Sequence, residues 1–305
     1  MKIAIIGAGA MGCLYGGKLS QSKENQVYLL DIWKEHIDRI NEYGLIIEEA
    51  GESLVYKDIK ASVDASDIGG ADLVIVFVKS TLTKVAVHEA QELFGQGTMV
   101  LTLQNGLGNV DLIGEEVGLA NVIGGTTAHG AYMKGPGEIC HAGVGKTIIG
   151  ELGGESTERI NEIARVFQEV GLETEISNNI LGLIWDKLIV NVGINALTAI
   201  TGLHNGQLLD HPELLDIMSL AIDEALAVAK SKEIQLSSQD PYGHTLDICK
   251  NTATNKSSML QDIINKRRTE IDMINGGILR EGEIEGIFTP VNRVLTDLIK
   301  YWEKL

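Results

Sequence analysis

The sequence predicts an α/β fold in two parts: an N-terminal doubly wound parallel sheet over residues 1–177, then an all-helical second domain over residues 178–305. Three observations carry this. Short β-branched runs alternate with longer amphipathic stretches up to about Glu175, a glycine-spaced turn follows the first run, and the strand pattern stops near Asn178. Alternating strands and helices imply parallel strands joined by right-handed crossovers. At 305 residues the chain is long enough for two domains of roughly 100–200 residues each.

The sheet opens with KIAIIG (Lys2–Gly7) and QVYLLD (Gln26–Asp31), followed by ADLVIVFVK (Ala71–Lys79) and TMVLTLQNG (Thr98–Gly106). ANVIGGTTA (Ala120–Ala128) and KTIIGEL (Lys146–Leu152) complete it. Several of these are apolar almost throughout, as strands covered on both faces must be. Helical period covers Gly12–Ser22, Trp33–Tyr43 and Ser156–Val170. In the second part it covers Asp210–Lys232, where Pro212 stands early enough for a helix to tolerate it, then Ser257–Gly282 and Pro290–Leu305. No Pro- or Gly-rich linker separates the parts, so a packed interface with a cleft is expected.

Composition removes several classes of function. A net charge of −17 argues against a nucleic-acid or anionic-membrane surface, while leaving room for a locally positive site. Cys13, Cys140 and Cys249 show neither CxxC pairing nor metal spacing, which suits a reduced cytoplasm. No leader pattern precedes the first strand, and the strongest apolar run, Leu73–Val78, is too short to cross a bilayer. His36, His88, His141, His204, His211 and His244 lack metal-ligand spacing, so no metal is expected.

GAGAMG (Gly7, Ala8, Gly9, Ala10, Met11, Gly12) has GxGxxG spacing between a strand and an apolar helix. In that setting it reads as a Rossmann-type dinucleotide site. Gly7 allows the tight turn, Gly9 lets the backbone approach a pyrophosphate, and Gly12 permits close helix packing. The helix N-terminus then favours the phosphate charge. Asp31, ending the second strand, stands where a carboxylate binds the ribose diol of NAD(H) and repels a 2′-phosphate. The alternative is a turn residue capping the next helix.

LIWDKLIVNVGINALTAITG (Leu183–Gly202) poses a different problem. It reads as an apolar helix, yet Lys187, Asn191 and Asn195 recur every four residues on one stripe that drifts about 40° per step. Buried polar groups need partners, so the stripe is expected to face a ligand. The alternative is a snorkelling lysine with amides that cap neighbouring helices.

With GAGAMG, this Lys-Asn-Asn helix and SSMLQD (Ser257–Asp262) followed by TEIDMINGG (Thr269–Gly277), the chain resembles the ketopantoate reductases over essentially its full length. The resemblance implies NADP(H)-linked reduction of 2-dehydropantoate, a small 2-keto acid, to (R)-pantoate. It makes Lys187 the proton donor to the keto oxygen, with Asn191, Asn195 and Asn205 at the substrate's hydroxyl end. It places Asn105 between nicotinamide and substrate, Asn255 near the substrate and Ser258 at its carboxylate. Lys79 and Glu270 fall on the cofactor side, Glu270 also close to the lysine. GGTTAHGAY (Gly124–Tyr132) offers small residues, Gly130 among them, where backbone passes the nicotinamide; His129 is given no catalytic role, because Lys187 supplies the acid. One residue departs from the family pattern: Asp31 replaces the usual arginine. That favours NAD(H) and points to relatives acting as NAD-linked D-2-hydroxyacid dehydrogenases on branched or aromatic 2-keto acids.

The chemistry suits the residues. A developing alkoxide needs a proton and a nearby positive charge, and burial lowers a lysine's pKa toward neutrality while Glu270 opposes the shift. On one straight helix Ser258 and Glu270 would stand about 18 Å apart, too far to share a small site. A break near Arg267–Thr269 is therefore expected, with Thr269 and Asp272 in helix-start spacing. NKRR (Asn265–Arg268) reads as a solvated helix end, with a site for a substrate or cofactor anion as the alternative, and CHAGVGK (Cys140–Lys146) as a turn. A β-hydroxyacid dehydrogenase of the 6-phosphogluconate type also carries a Lys-x3-Asn helix, but Asn195, Asn205 and SSMLQD argue against it. A non-catalytic NAD(P)H-binding redox sensor would need no proton donor. The helix faces of the second domain could pair two copies into a homodimer.

Overall fold

Strand β1 (Lys2–Ile6) divides its side chains between two cores, because successive residues of a strand point to opposite faces. Ile3 and Ile5 enter one core; Ala4 and Ile6 enter the other. The computed structural model describes residues 1–305. The chain folds as two compact units, Met1–Gln104 with Asn109–Ile180, and Asn105–Gly108 with Leu181–Leu305.

In the first unit α1 (Ala10–Leu19), β2 (Gln26–Leu30) and α2 (Lys34–Tyr43) follow β1. Next come β3 (Leu45–Glu49), β4 (Glu52–Tyr56), β5 (Ile59–Ser62), β6 (Leu73–Val76), α3 (Thr83–Glu89), β7 (Met99–Thr102) and α4 (Asn109–Val117). The unit closes with β8 (Val122–Thr127), β9 (Gly130–Gly135), β10 (Glu138–Gly143), β11 (Thr147–Glu151), α5 (Glu158–Glu169) and β12 (Thr174–Ile176). An eight-stranded sheet has the order β12-β11-β8-β7-β6-β1-β2-β5. Strand order reverses on either side of β1, between β2 and β6, which is the switch point where such sheets bind ligands. All pairs are parallel except β8 with β11, which return antiparallel because the hairpin β9–β10 replaces a crossover helix between them.

That hairpin belongs to a second sheet, ordered β4-β3-β10-β9, which no pattern in the sequence marks. Residues 140–143 of CHAGVGK are strand rather than turn, because Ile139, Cys140 and His141 pair with both β9 and β3. Helix α1 packs against both sheets, burying Leu14, Tyr15 and Leu19 completely. The Tyr15 hydroxyl lies 2.9 Å from Thr127 Oγ1 and 2.5 Å from Thr147 Oγ1. Tyr15→Phe leaves both threonine hydroxyls short of a partner and should cost about 1–3 kcal/mol, read from urea unfolding.

The second unit is helical: α6 (Ile180–Thr201), α7 (Pro212–Ser231), α8 (Pro241–Asn251), α9 (Ser258–Ile264), α10 (Asn275–Glu285) and α11 (Pro290–Trp302). With 22 residues and a mean hydropathy of 1.5 over its most apolar stretch, α6 is long and apolar enough to cross a bilayer. The apolar length has another use here, since Leu188, Ile189, Val192, Ala196 and Leu197 are buried in the core of this unit.

Candidate active site

The glycine turn is built by close packing. Gly7 has φ +99°, and a Cβ there would stand 2.6 Å from Val78 N on the strand end beside it. A Cβ on Gly12 would lie far inside contact distance of the Gly7 carbonyl oxygen. At Gly9 a Cβ would meet nothing within 4 Å, so the protein itself does not require glycine there. Gly9 is also exposed, it begins α1, and no side chain caps that helix end. The space and the uncapped N–H groups fit a pyrophosphate.

Asp31 anchors this turn. Its Oδ2 accepts from Ala8 N at 2.8 Å and its Oδ1 from Trp33 N at 3.0 Å. Each oxygen retains a second lone pair, enough for a ribose diol. Thus Asp31 is part of the turn and also keeps acceptor capacity free. Lys79 begins the 3₁₀ turn Ser80–Leu82 just beyond β6, on the strand next to the glycine turn. Gln104, which the sequence reading passed over, donates to Val78 O at 2.6 Å and to Thr83 Oγ1 at 2.8 Å, fixing the end of β6. No local pattern marks it, because its partners lie more than 20 residues away.

Gly130 opens β9 opposite Gly143. Its neighbour His129 sits in a polar chain. Gly145 N donates to His129 Nδ1 at 3.2 Å, which also lies 3.1 Å from His141 Nε2. His141 Nδ1 lies 2.8 Å from Glu49 Oε1, and Lys18 Nζ donates to Glu49 Oε2 at 2.6 Å. Burial and the facing His141 push the His129 imidazole below its ordinary range. With Nδ1 occupied as an acceptor, the ring proton stands on Nε2.

In the helical unit Lys187, Asn191 and Asn195 occupy successive turns of α6, the first two half-buried and Asn195 buried. Enough protein surrounds the ammonium for burial to dominate, and the Lys187 pKa falls to about 8; the Glu270 carboxylate pulls it back up. Glu270 reaches this position because the chain does break where expected. Helix α9 ends at Ile264, and a 3₁₀ turn, Ile271–Met273, starts after Glu270. The break has different chemistry from the expected capping box: Thr269 Oγ1 donates to Glu303 Oε1 and accepts from Ile271 N, while Asp272 pairs with Arg268 and Lys300. The segment carrying Asn105 docks on the same turn, with Leu107 N donating to Met273 O at 2.8 Å. Gly106 has φ +84°, and a Cβ there would stand 2.6 Å from that carbonyl oxygen.

Asn205 is buried; its backbone N donates to Asn255 O and its Nδ2 to Thr252 Oγ1, while Oδ1 is enclosed without a partner. Asn255 and Ser258 are exposed. Ser257 caps α9, accepting from Leu260 N at 3.1 Å and from Thr198 Oγ1 of α6 at 2.7 Å. The arrangement leaves the Ser258 hydroxyl out of the cap. No group of three or more His, Cys, Asp or Glu side chains is placed to hold a metal ion.

A glycine turn at the switch point and a lysine tuned close to neutrality define an NAD(P)H-dependent oxidoreductase. Residues 3–154 match the family described as ketopantoate reductase PanE/ApbA, and residues 179–303 match its C-terminal counterpart. A 2-dehydropantoate 2-reductase of Halobacterium salinarum is 37% identical over 303 residues, covering 98% of each chain. A PanE/ApbA family ketopantoate reductase structure from Ralstonia eutropha superimposes with a TM-score of 0.92 at 35% identity, covering 100% of this chain and 99% of that one. A structure of D-mandelate dehydrogenase with NADH and anilino(oxo)acetate gives 0.93 at 33% identity, covering 100% and 98%. The chain belongs to the ketopantoate reductase family.

Proposed function

We propose that this protein reduces 2-dehydropantoate to (R)-pantoate, the step that feeds pantothenate and coenzyme A synthesis. The observation that carries the reading is Lys187, half-buried on α6 with its pKa lowered by desolvation to about 8 under the opposing pull of Glu270. When bound, the reduced nicotinamide supplies a hydride to the keto carbon. Lys187 Nζ then gives its proton to the developing alkoxide and is itself left as a neutral amine. A pKa near the working pH suits this exchange in both directions. Asn191, Asn195, Asn205 and Asn255 orient the substrate by hydrogen bonds that add no charge, and Asn205 Oδ1 is an acceptor still to be satisfied. Ser258 meets the carboxylate. Gly7 to Gly12, Asp31, Lys79, Asn105, Gly130 and Glu270 serve the dinucleotide, with residues 1–177 as its domain and 178–305 as the catalytic one.

NADH is the preferred coenzyme in this reading, because Asp31 offers acceptors to a ribose diol and repels a 2′-phosphate. Asp31→Ala should raise KM for NADH by about 10- to 100-fold, the worth of one or two charge-assisted hydrogen bonds, and raise KM for NADPH less, because loss of the turn's anchor at Ala8 N falls on both coenzymes while only NADPH is relieved of the repulsion. Initial rates with both coenzymes check this. A second reading has its own support: D-mandelate dehydrogenase, solved with NADH, matches this fold as well as the reductases do. Rates on 2-dehydropantoate, 2-ketoisovalerate and benzoylformate separate the two. Turnover confined to the latter pair would replace the reductase by an NAD-linked D-2-hydroxyacid dehydrogenase. The place of work is the cytoplasm, and the assembly is a homodimer.

A further inference from the structure

Glu303 stands at the wrong end of a helix for its charge. It follows the last turn of α11, where a carboxylate meets the negative end of the helix dipole and a cation is favoured. Another contact accounts for it. Glu303 Oε1 accepts from Thr269 N at 2.7 Å and from Thr269 Oγ1 at 2.6 Å. Thr269 is only 1% exposed, and both of its donors find their acceptor in this one oxygen. Three residues earlier on α11, Lys300 Nζ lies 2.5 Å from Asp272 Oδ1, and Arg280 of α10 donates to the Asp272 carbonyl oxygen at 3.4 Å. The end of α11 thus grips the chain on both sides of Glu270. The helix is a firm mount, because Leu295, Thr296 and Ile299 are buried in the unit. Between the two grips the backbone closes on itself. Thr269 Oγ1 accepts from Ile271 N at 3.2 Å, and Glu270 O accepts from Met273 N at 3.0 Å and Ile274 N at 3.1 Å.

We infer that Glu303 is a positioning residue: through Thr269, with the Lys300–Asp272 pair as a second hold, it fixes where Glu270 presents its carboxylate to Lys187. The role rests on Lys187 being the proton donor. Arg268, Asp272, Arg280, Lys300 and Glu303 all carry charge around this turn, yet Glu270 is the one carboxylate whose field acts on Lys187. Glu303 therefore reaches the lysine only by placing Glu270. Burial pulls the ammonium's pKa down and Glu270 holds it at about 8. That hold weakens as the two charges separate. A carboxylate released from its grips would leave the lysine to burial alone.

The test is the pH profile of kcat/KM on the full chain with NADH and 2-dehydropantoate, or benzoylformate where that is the better substrate, beside urea unfolding. Glu303→Ala should move the alkaline break down by about 0.3–1 pH unit, a loss of about 2- to 10-fold in kcat/KM above it. Glu303→Gln keeps an oxygen for Thr269 and should keep the wild-type break, which sets placement apart from charge. Thr269→Val removes the hydroxyl and should copy Glu303→Ala; Thr269→Ser keeps it and should not. In a Glu270→Gln background, Glu303→Ala should leave the break where Glu270→Gln alone puts it. Should Glu303→Ala fail to fold, the two Thr269 variants decide the matter. A break that Glu270→Gln moves, but that stays in place in Glu303→Ala and Thr269→Val, would overturn the positioning role and leave Lys187 as the acid. So would a Glu303→Gln break displaced as far as that of Glu303→Ala. A break that Glu270→Gln fails to move would overturn the lysine reading and the positioning role together.

Discussion

Lys187→Ala should lower kcat for keto-acid reduction by on the order of 10²-fold or more, with KM for the coenzyme nearly unchanged. The lysine gives both the proton and a positive charge at the oxygen where negative charge develops, so its loss falls on the transition state. The pH dependence carries a sign. Reduction needs the ammonium, so kcat/KM should fall as pH rises through about 8; oxidation of the hydroxyacid needs the free amine and should rise over the same range. Glu270→Gln removes the group that holds the pKa up, and both breaks should move to lower pH. A control separates catalysis from packing. Because burial depresses the Lys187 pKa, the folded state disfavours the charged side chain relative to the unfolded chain. Protein stability should therefore rise with pH between about 8 and the lysine's ordinary value of 10.5. Lys187→Met keeps the stem and removes the charge, so it should abolish turnover while raising stability by about 1–3 kcal/mol. Loss of stability in that variant would mean that Lys187 is a structural residue.

How far the sequence could be read follows from the range over which each signal acts. The glycine turn and the polar stripe of α6 are local: spacing and residue type alone state the need for a tight turn or for a face that meets a ligand. The break before Glu270 was legible from distance, since a straight helix cannot bring Ser258 and Glu270 together. Its chemistry was not, because Thr269 is held by Glu303, 34 residues away. The small sheet escaped notice for the same reason. Strand β4 is exposed at four of its five positions and carries no clear alternation, and β3 joins β10 across about 90 residues. The chain from Lys18 through Glu49 and His141 to His129 exists only once that sheet has formed. Asn205, Asn255 and Ser258 could be chosen by resemblance, but the capping role of Ser257 involves a hydroxyl of α6 that no local pattern marks.

Gly9→Ala and Gly12→Ala should separate coenzyme binding from folding. At Gly9 the added methyl meets no protein atom within 4 Å, and alanine is at home in the extended backbone there, with φ −66° and ψ −172°. The variant should unfold at the wild-type urea midpoint. Its NADH affinity should fall by at least about tenfold, because the methyl occupies the space through which a pyrophosphate approaches the helix N-terminus. At Gly12 the methyl strikes the Gly7 carbonyl oxygen, in a peptide plane already held by Ala8 N donating to Asp31 Oδ2 at 2.8 Å. Relief requires α1 to move from β1, so the cost should reach or exceed the upper end of the 1–3 kcal/mol typical of overpacking. Binding should weaken there only as a consequence of the displaced helix. Isothermal titration with NADH beside urea unfolding gives both quantities for each variant. Equal loss of stability in the two would show that Gly9 is held by the protein's own packing, and the pyrophosphate assignment would fall with it.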